Sequence, residues 1–110
     1  WKQAEAARDE SKGLIDMVSD DEILAAYKIL AARDGVFAEP ASCASVAGLL
    51  KLAAGGYFKQ YAPLTDAKPV RIVCILTGHG LKDPDRAIRS IEAPRVIKSD
   101  KQALLKEIGY

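Results

Sequence analysis

Thr77-Gly78-His79-Gly80 follows directly on Val70–Leu76, a seven-residue, almost wholly apolar run. A hydroxyl and two glycines at the end of such a run have the make-up of a ligand-facing loop. Glycine has no Cβ, so a flat ligand could approach the backbone closely at Gly78 and Gly80. Thr77 offers one neutral hydroxyl, able to donate or to accept. The second chemistry-bearing segment is Glu39-Pro40-Ala41-Ser42, a carboxylate and a hydroxyl around a proline that starts a helix. The plainer readings are a threonine bonded to its own backbone and a glutamate favoured by a helix dipole, worth about 0.3–1 kcal/mol.

Other reactive side chains carry less. His79 is the only histidine and has no cysteine or acid at metal-ligand spacing, so it reads as a structural loop residue. Cys43 and Cys74 lack a nearby His or Lys to make a reactive thiolate and read as buried small hydrophobes. Lys82 and Asp83 read as a solvated neighbour and a helix cap. Asp20–Glu22 reads as a helix start and not as a metal site.

The elements that must hold these residues follow from pattern. Val70–Leu76, bounded by Pro69 and by glycines, reads as a strand buried on both faces. Ligands of open α/β sheets sit beyond the carboxyl ends of such strands, which is where Thr77 falls. Trp1–Lys12 predicts a surface helix ended by Gly13, and Leu14–Val18 a short edge strand. Ser19 with Glu22 forms a capping box for a helix whose stripe is Ile23, Leu24, Tyr27, Leu30 and Ala31, stopped by Gly35. Val36–Ala38 is briefly extended. Ala41–Ala54 predicts a buried helix ended by Gly55-Gly56, and Tyr57–Lys68 an irregular connection. Asp83 caps a helix to about Ile91, Val96-Ile97 is extended, and Ser99 caps a last helix to Glu107. The expected architecture is a single partial α/β domain over residues 1–110, an incomplete, mostly parallel sheet with flanking helices. Compact sheets usually have about four to six strands, more than this chain supplies.

The totals suit a soluble globular domain: 110 residues, 49% hydrophobic, 28% charged, formal charge +1. Sixteen basic residues against fifteen acidic imply no basic face, so neither nucleic acid nor a membrane surface is expected as a partner. No apolar run approaches the roughly 20 residues that span a bilayer. Two cysteines without metal spacing suit a reducing, cytoplasmic setting. A start at Trp1, with Met17 the only methionine, reads as a piece of something longer.

SDDEILAAYKILAARDGVFAEPASCASVAGLLKL followed by CILTGHGLKDPD resembles the C-terminal part of the threonine synthase family, pyridoxal 5'-phosphate enzymes of fold type II related to the tryptophan synthase β subunit and the serine/threonine dehydratases. The likeness runs from about Trp1 to Ala87. It implies conversion of O-phospho-L-homoserine and water to L-threonine and phosphate. It implies that Thr77 bonds the cofactor's pyridine nitrogen and that Glu39 lies near the ring. Gly78 and Gly80 would then let the loop lie against the cofactor edge, and Ala41 and Ser42 would line the substrate side. A neutral hydroxyl leaves the ring nitrogen largely unprotonated, a milder electron sink than a carboxylate would make. The family needs a Schiff-base lysine and a glycine-rich phosphate loop, and neither is present, so no catalytic residue is expected in this chain. The resemblance further implies a missing N-terminal part of the same polypeptide and a homodimer when full length. The rival readings are a sister pyridoxal-phosphate lyase or dehydratase, and a stand-alone, non-catalytic α/β module.

Overall fold

The computed structural model describes residues 1–61 and 71–110. Val70 and residues 62–68 of the expected Tyr57–Lys68 connection lie outside the described residues. Among those described, the regular structure is helical: α1 (Lys2–Ser11), α2 (Asp20–Ile29), α3 (Ala44–Ala54), α4 (Pro84–Arg89) and α5 (Lys101–Glu107). Short 3-10 turns cover Pro40–Cys43, Tyr57–Tyr61 and Gly80–Lys82.

Helix starts follow local chemistry closely. Ser19 Oγ accepts from the Glu22 N–H (3.3 Å), and Glu22 Oε2 accepts from the Ser19 N–H (2.7 Å), so the capping box closes in both directions. Asp83 accepts from the Arg86 N–H at 3.1 Å and starts α4. Before α5 the cap is Asp100, which accepts from the Ala103 N–H at 2.9 Å, one residue later than the expected Ser99. A carboxylate there also meets the positive end of the helix dipole. α2 runs on into a wider π turn, Leu30–Asp34, closed by Gly35 at φ 66°. After α1 it is Lys12 that turns left-handed (φ 54°), and Gly13 supplies the next N–H to the Arg8 carbonyl.

Among the described residues the expected α/β sheet does not form. Among the described residues the only β pairing is an isolated antiparallel bridge between Ala38 and His79. Residues 71–77 and 13–19 carry no regular structure. A strand is a paired object: its N–H and C=O groups need a neighbour's. Val70–Leu76 has strand-like composition, but its described residues lie beside a helix instead. Ser45 on α3 donates to the Ile75 carbonyl at 3.2 Å, and the Cys74 thiol points to the Ser45 carbonyl. Nor are these residues buried on both faces, since Val73 is 86% exposed. Leu14–Val18 is likewise held by a side chain and not by a ladder. Lys51 of α3 donates to the Met17 carbonyl at 2.6 Å and pairs with Asp16 at 3.2 Å.

The core lies where α2 crosses the Pro40–Ala54 helix. Ala26, Tyr27, Ala38, Cys43 and Ala47 are buried, with Val18, Ile23, Leu30, Val46, Leu76 and Ala87 packed around them. Small residues at the crossing let the backbones approach, and Gly48 sits 4.0 Å from Val18 where a Cβ would stand. α3 is not the buried helix its composition suggests: Ala47 is buried, and Leu50 is exposed. The radius of gyration, 19.5 Å, exceeds the ~13 Å of a compact domain of this length.

Candidate functional site

The bridge that pairs Ala38 with His79 brings together the two segments singled out in the sequence. The Glu39 N–H donates to the Gly78 carbonyl (2.8 Å), and the Gly80 N–H donates to the Phe37 carbonyl (3.0 Å). Pro40 begins the 3-10 turn that runs into α3, so Ser42 stands one turn into a helical start facing the 77–80 loop.

At the centre are two hydroxyls. Ser42 is 5% exposed; its Oγ accepts from the Gly78 N–H at 2.7 Å and lies 3.0 Å from Thr77 Oγ1. Thr77 itself is exposed. A buried polar hydrogen without an acceptor costs about 1–3 kcal/mol, and Thr77 Oγ1 is the acceptor the structure offers Ser42 among the described residues.

The two loop glycines are required by the neighbouring segment. A Cβ on Gly78 would stand 3.0 Å from Glu39 Cδ, 3.1 Å from Glu39 Cβ and closer still to Oε2. A Cβ on Gly80, which is buried, would fall 2.5 Å from Cδ2 and Cζ of Phe37. The space the sequence left for a ligand on those faces is taken by Glu39 and Phe37. Glu39 also pairs with Lys82 Nζ at 2.7 Å. Lys82 is therefore part of the cluster, although it read as a solvated neighbour. Its partner lies 43 positions away, and nothing local in the sequence signals that pairing. The same holds for Phe37, whose ring meets His79 edge-on (5.5 Å between centroids) and Tyr27 at a tilt.

His79 is structural in this setting: its Nδ1 accepts from the Leu81 N–H at 3.2 Å, ordering the Gly80–Lys82 turn. Cys43 is fully buried, and burial pushes its thiol above the ordinary value. Its Sγ–H reaches the Glu39 carbonyl at 3.5 Å. Burial, with smaller contributions from Cys43 and Asp83, likewise raises Tyr27. Among the described residues no three His, Cys, Asp or Glu side chains stand close enough together to hold a metal ion, and no helix is long and apolar enough to cross a membrane.

The six expected site residues do not all meet. Thr77, Ser42, Gly78, Glu39 and Gly80 share the bridge. Ala41 instead lines a shallow cavity of about 170 Å³ with Asp20, Leu24 and Arg86. A larger apolar cavity of about 600 Å³, between the end of α2 and α4, is lined by Tyr27, Ala31, Phe37, Ala87, Ile88 and Ile91 among others, and by none of the six. The cluster is thus a neutral hydroxyl pair with one member exposed, beside a neutralised carboxylate. It can offer a polar ligand atom a hydrogen bond without a formal charge.

Over 109 residues, 98% of its length, the chain is 51% identical to a threonine synthase of Halalkalibacterium halodurans. It is 46% identical over 112 residues to one from Synechocystis and 41% identical over 109 residues to one from Mycobacterium leprae. These matches take in 28%, 27% and 28% of the respective proteins, so the chain spans little more than a quarter of the length of the curated relatives it matches. No protein-family model matches it.

Proposed function

We propose that this chain is the C-terminal part of a pyridoxal-phosphate-dependent threonine synthase that converts O-phospho-L-homoserine and water to L-threonine and phosphate. The observation that carries the reading is the pairing of Glu39–Ser42 with Thr77–Gly80 through the Ala38–His79 bridge, in a chain so similar throughout to threonine synthases. When bound, pyridoxal phosphate supplies the electron-withdrawing ring on which elimination and replacement at the amino-acid side chain depend. Thr77 is the residue of this chain suited to hold that ring, through its nitrogen: it is exposed, uncharged and anchored from behind by buried Ser42. Lys82 Nζ pairs with Glu39 Oε2 at 2.7 Å, so the carboxylate beside the loop already has a cationic partner. Gly78 and Gly80 admit Glu39 and Phe37 and thereby set the height of the loop. The lysine and the phosphate-binding loop are contributed by the remaining part of the polypeptide, so the isolated chain is inactive.

The test is made on the full-length protein encoded by the gene. The expected result is visible absorbance from bound pyridoxal phosphate, with phosphate and threonine released in equal amounts from O-phospho-L-homoserine. Release of a 2-oxo acid from serine or threonine instead would replace this reading with a dehydratase. Thr77→Val is expected to keep the cofactor but to shift its spectrum and slow turnover. An unchanged spectrum and rate would remove Thr77 from the ring.

A further inference from the structure

We propose that Ser42 is a positioning residue that donates to Thr77 Oγ1 and so leaves the Thr77 hydrogen free for donation to an unprotonated ring nitrogen. The inference deepens the preceding reading and rests on it for the identity of the ligand.

The Gly78 backbone N–H can only donate, and it donates to Ser42 Oγ at 2.7 Å. Ser42 has one hydrogen of its own, in a residue 5% exposed, and its other partner is Thr77 Oγ1 at 3.0 Å. Were Thr77 to donate to Ser42, that oxygen would receive two hydrogens and its own would be buried without an acceptor, the costly arrangement. Ser42 therefore donates to Thr77, and the Thr77 hydrogen is left to point outward, where the residue is exposed. The run N–H (Gly78), O–H (Ser42), O–H (Thr77) is polarised in one sense, each donor strengthening the next.

A free threonine hydroxyl could accept from a protonated pyridine nitrogen as readily as it donates to a bare one. Under the relay Ser42 occupies one Thr77 lone pair and the Thr77 hydrogen stays available, which favours donation to a neutral, unprotonated heteroaromatic nitrogen. Ser42 acts through Thr77 and touches no ligand itself, a different role from lining the substrate.

The experiment uses the full-length protein and two probes: pyridoxal phosphate, and its analogue with C–H in place of the ring nitrogen. Ser42→Ala is expected to weaken binding of pyridoxal phosphate by about three- to tenfold, the worth of one polarised hydrogen bond. It should leave the carbon analogue unaffected, and should cause no further loss in a Thr77→Val background. Equal losses for both probes, or additive losses with Thr77→Val, would show that Ser42 merely supports the fold and would overturn the proposal. Neutron diffraction of the ligand-free wild type reads the order directly. Deuterium on Ser42 directed at Thr77 supports the relay; deuterium on Thr77 directed at Ser42 overturns it. Absence of pyridoxal phosphate binding by the wild type would sink the functional reading, while the deuterium positions still decide the relay.

Discussion

Gly80→Ala probes most directly whether the 37–42 and 77–82 segments are locked together. The new methyl would fall 2.5 Å from two carbons of the Phe37 ring and nearer still to Cε2, against an ordinary carbon contact of about 3.5–4 Å. The ring cannot yield as a flexible chain end would, because Tyr27 and His79 pack against it. Relief requires the segments to part, which also lengthens the 3.0 Å bond from the Gly80 N–H to the Phe37 carbonyl. Overpacking plus one compromised backbone bond amounts to about 3 kcal/mol. Equilibrium urea unfolding of the full-length protein measures it. The same substitution in a Phe37→Ala background should cost less than about 1 kcal/mol, since the obstructing ring is gone. A loss that persists undiminished without Phe37, or no loss with it, would refute the packing account of this glycine.

Gly78→Ala meets Glu39, whose carboxylate is the end of a jointed side chain, so it should destabilise by less than Gly80→Ala, about 1–2 kcal/mol, in the same titration. Lys82→Met removes a well-exposed partner of Glu39 and should cost under about 1 kcal/mol, with the difference fading in molar salt. The Ser19 backbone N–H holds the Glu22 carboxyl below its ordinary value of 4.5. A depressed folded value means its contribution is present above 4.5 and is lost as pH falls through the folded value. Glu22→Gln, which keeps an acceptor but no charge, should therefore be less stable than wild type at pH 7 and converge with it in acid; a gap that stays constant with pH would contradict this. Buried Cys43, its thiol pushed up by desolvation, should resist iodoacetamide at pH 8 in folded protein and react once unfolded, as read by mass spectrometry.

Local chemistry was legible in the residues because it is decided within one turn. Ser19 with Glu22, Asp83 with Arg86 and Gly35 as a left-handed stop all act over three to six positions. The likeness carried by Glu39–Ser42 and Thr77–Gly80 was legible too, and it pointed to segments the fold does bring together. The sheet was a false expectation of a different kind. The composition of Val70–Leu76 records a preference for extended backbone, but hydrogen bonding between segments decides whether extended backbone becomes a strand, and that partner is no property of the run itself. Its described part found α3 through Ser45 and Cys74 instead.

By itself, then, the sequence determined the helix starts at Ser19 and Asp83 and the stop at Gly35, which side chains could do chemistry, and which proteins the chain is like. Only the tertiary structure decided that Lys82 answers Glu39, that Phe37 fills the face of Gly80, and that Ser42 stands behind Thr77. Caps and stops are settled by atoms a few bonds apart. These three contacts join residues some 35–43 positions apart, whose meeting depends on every element between them.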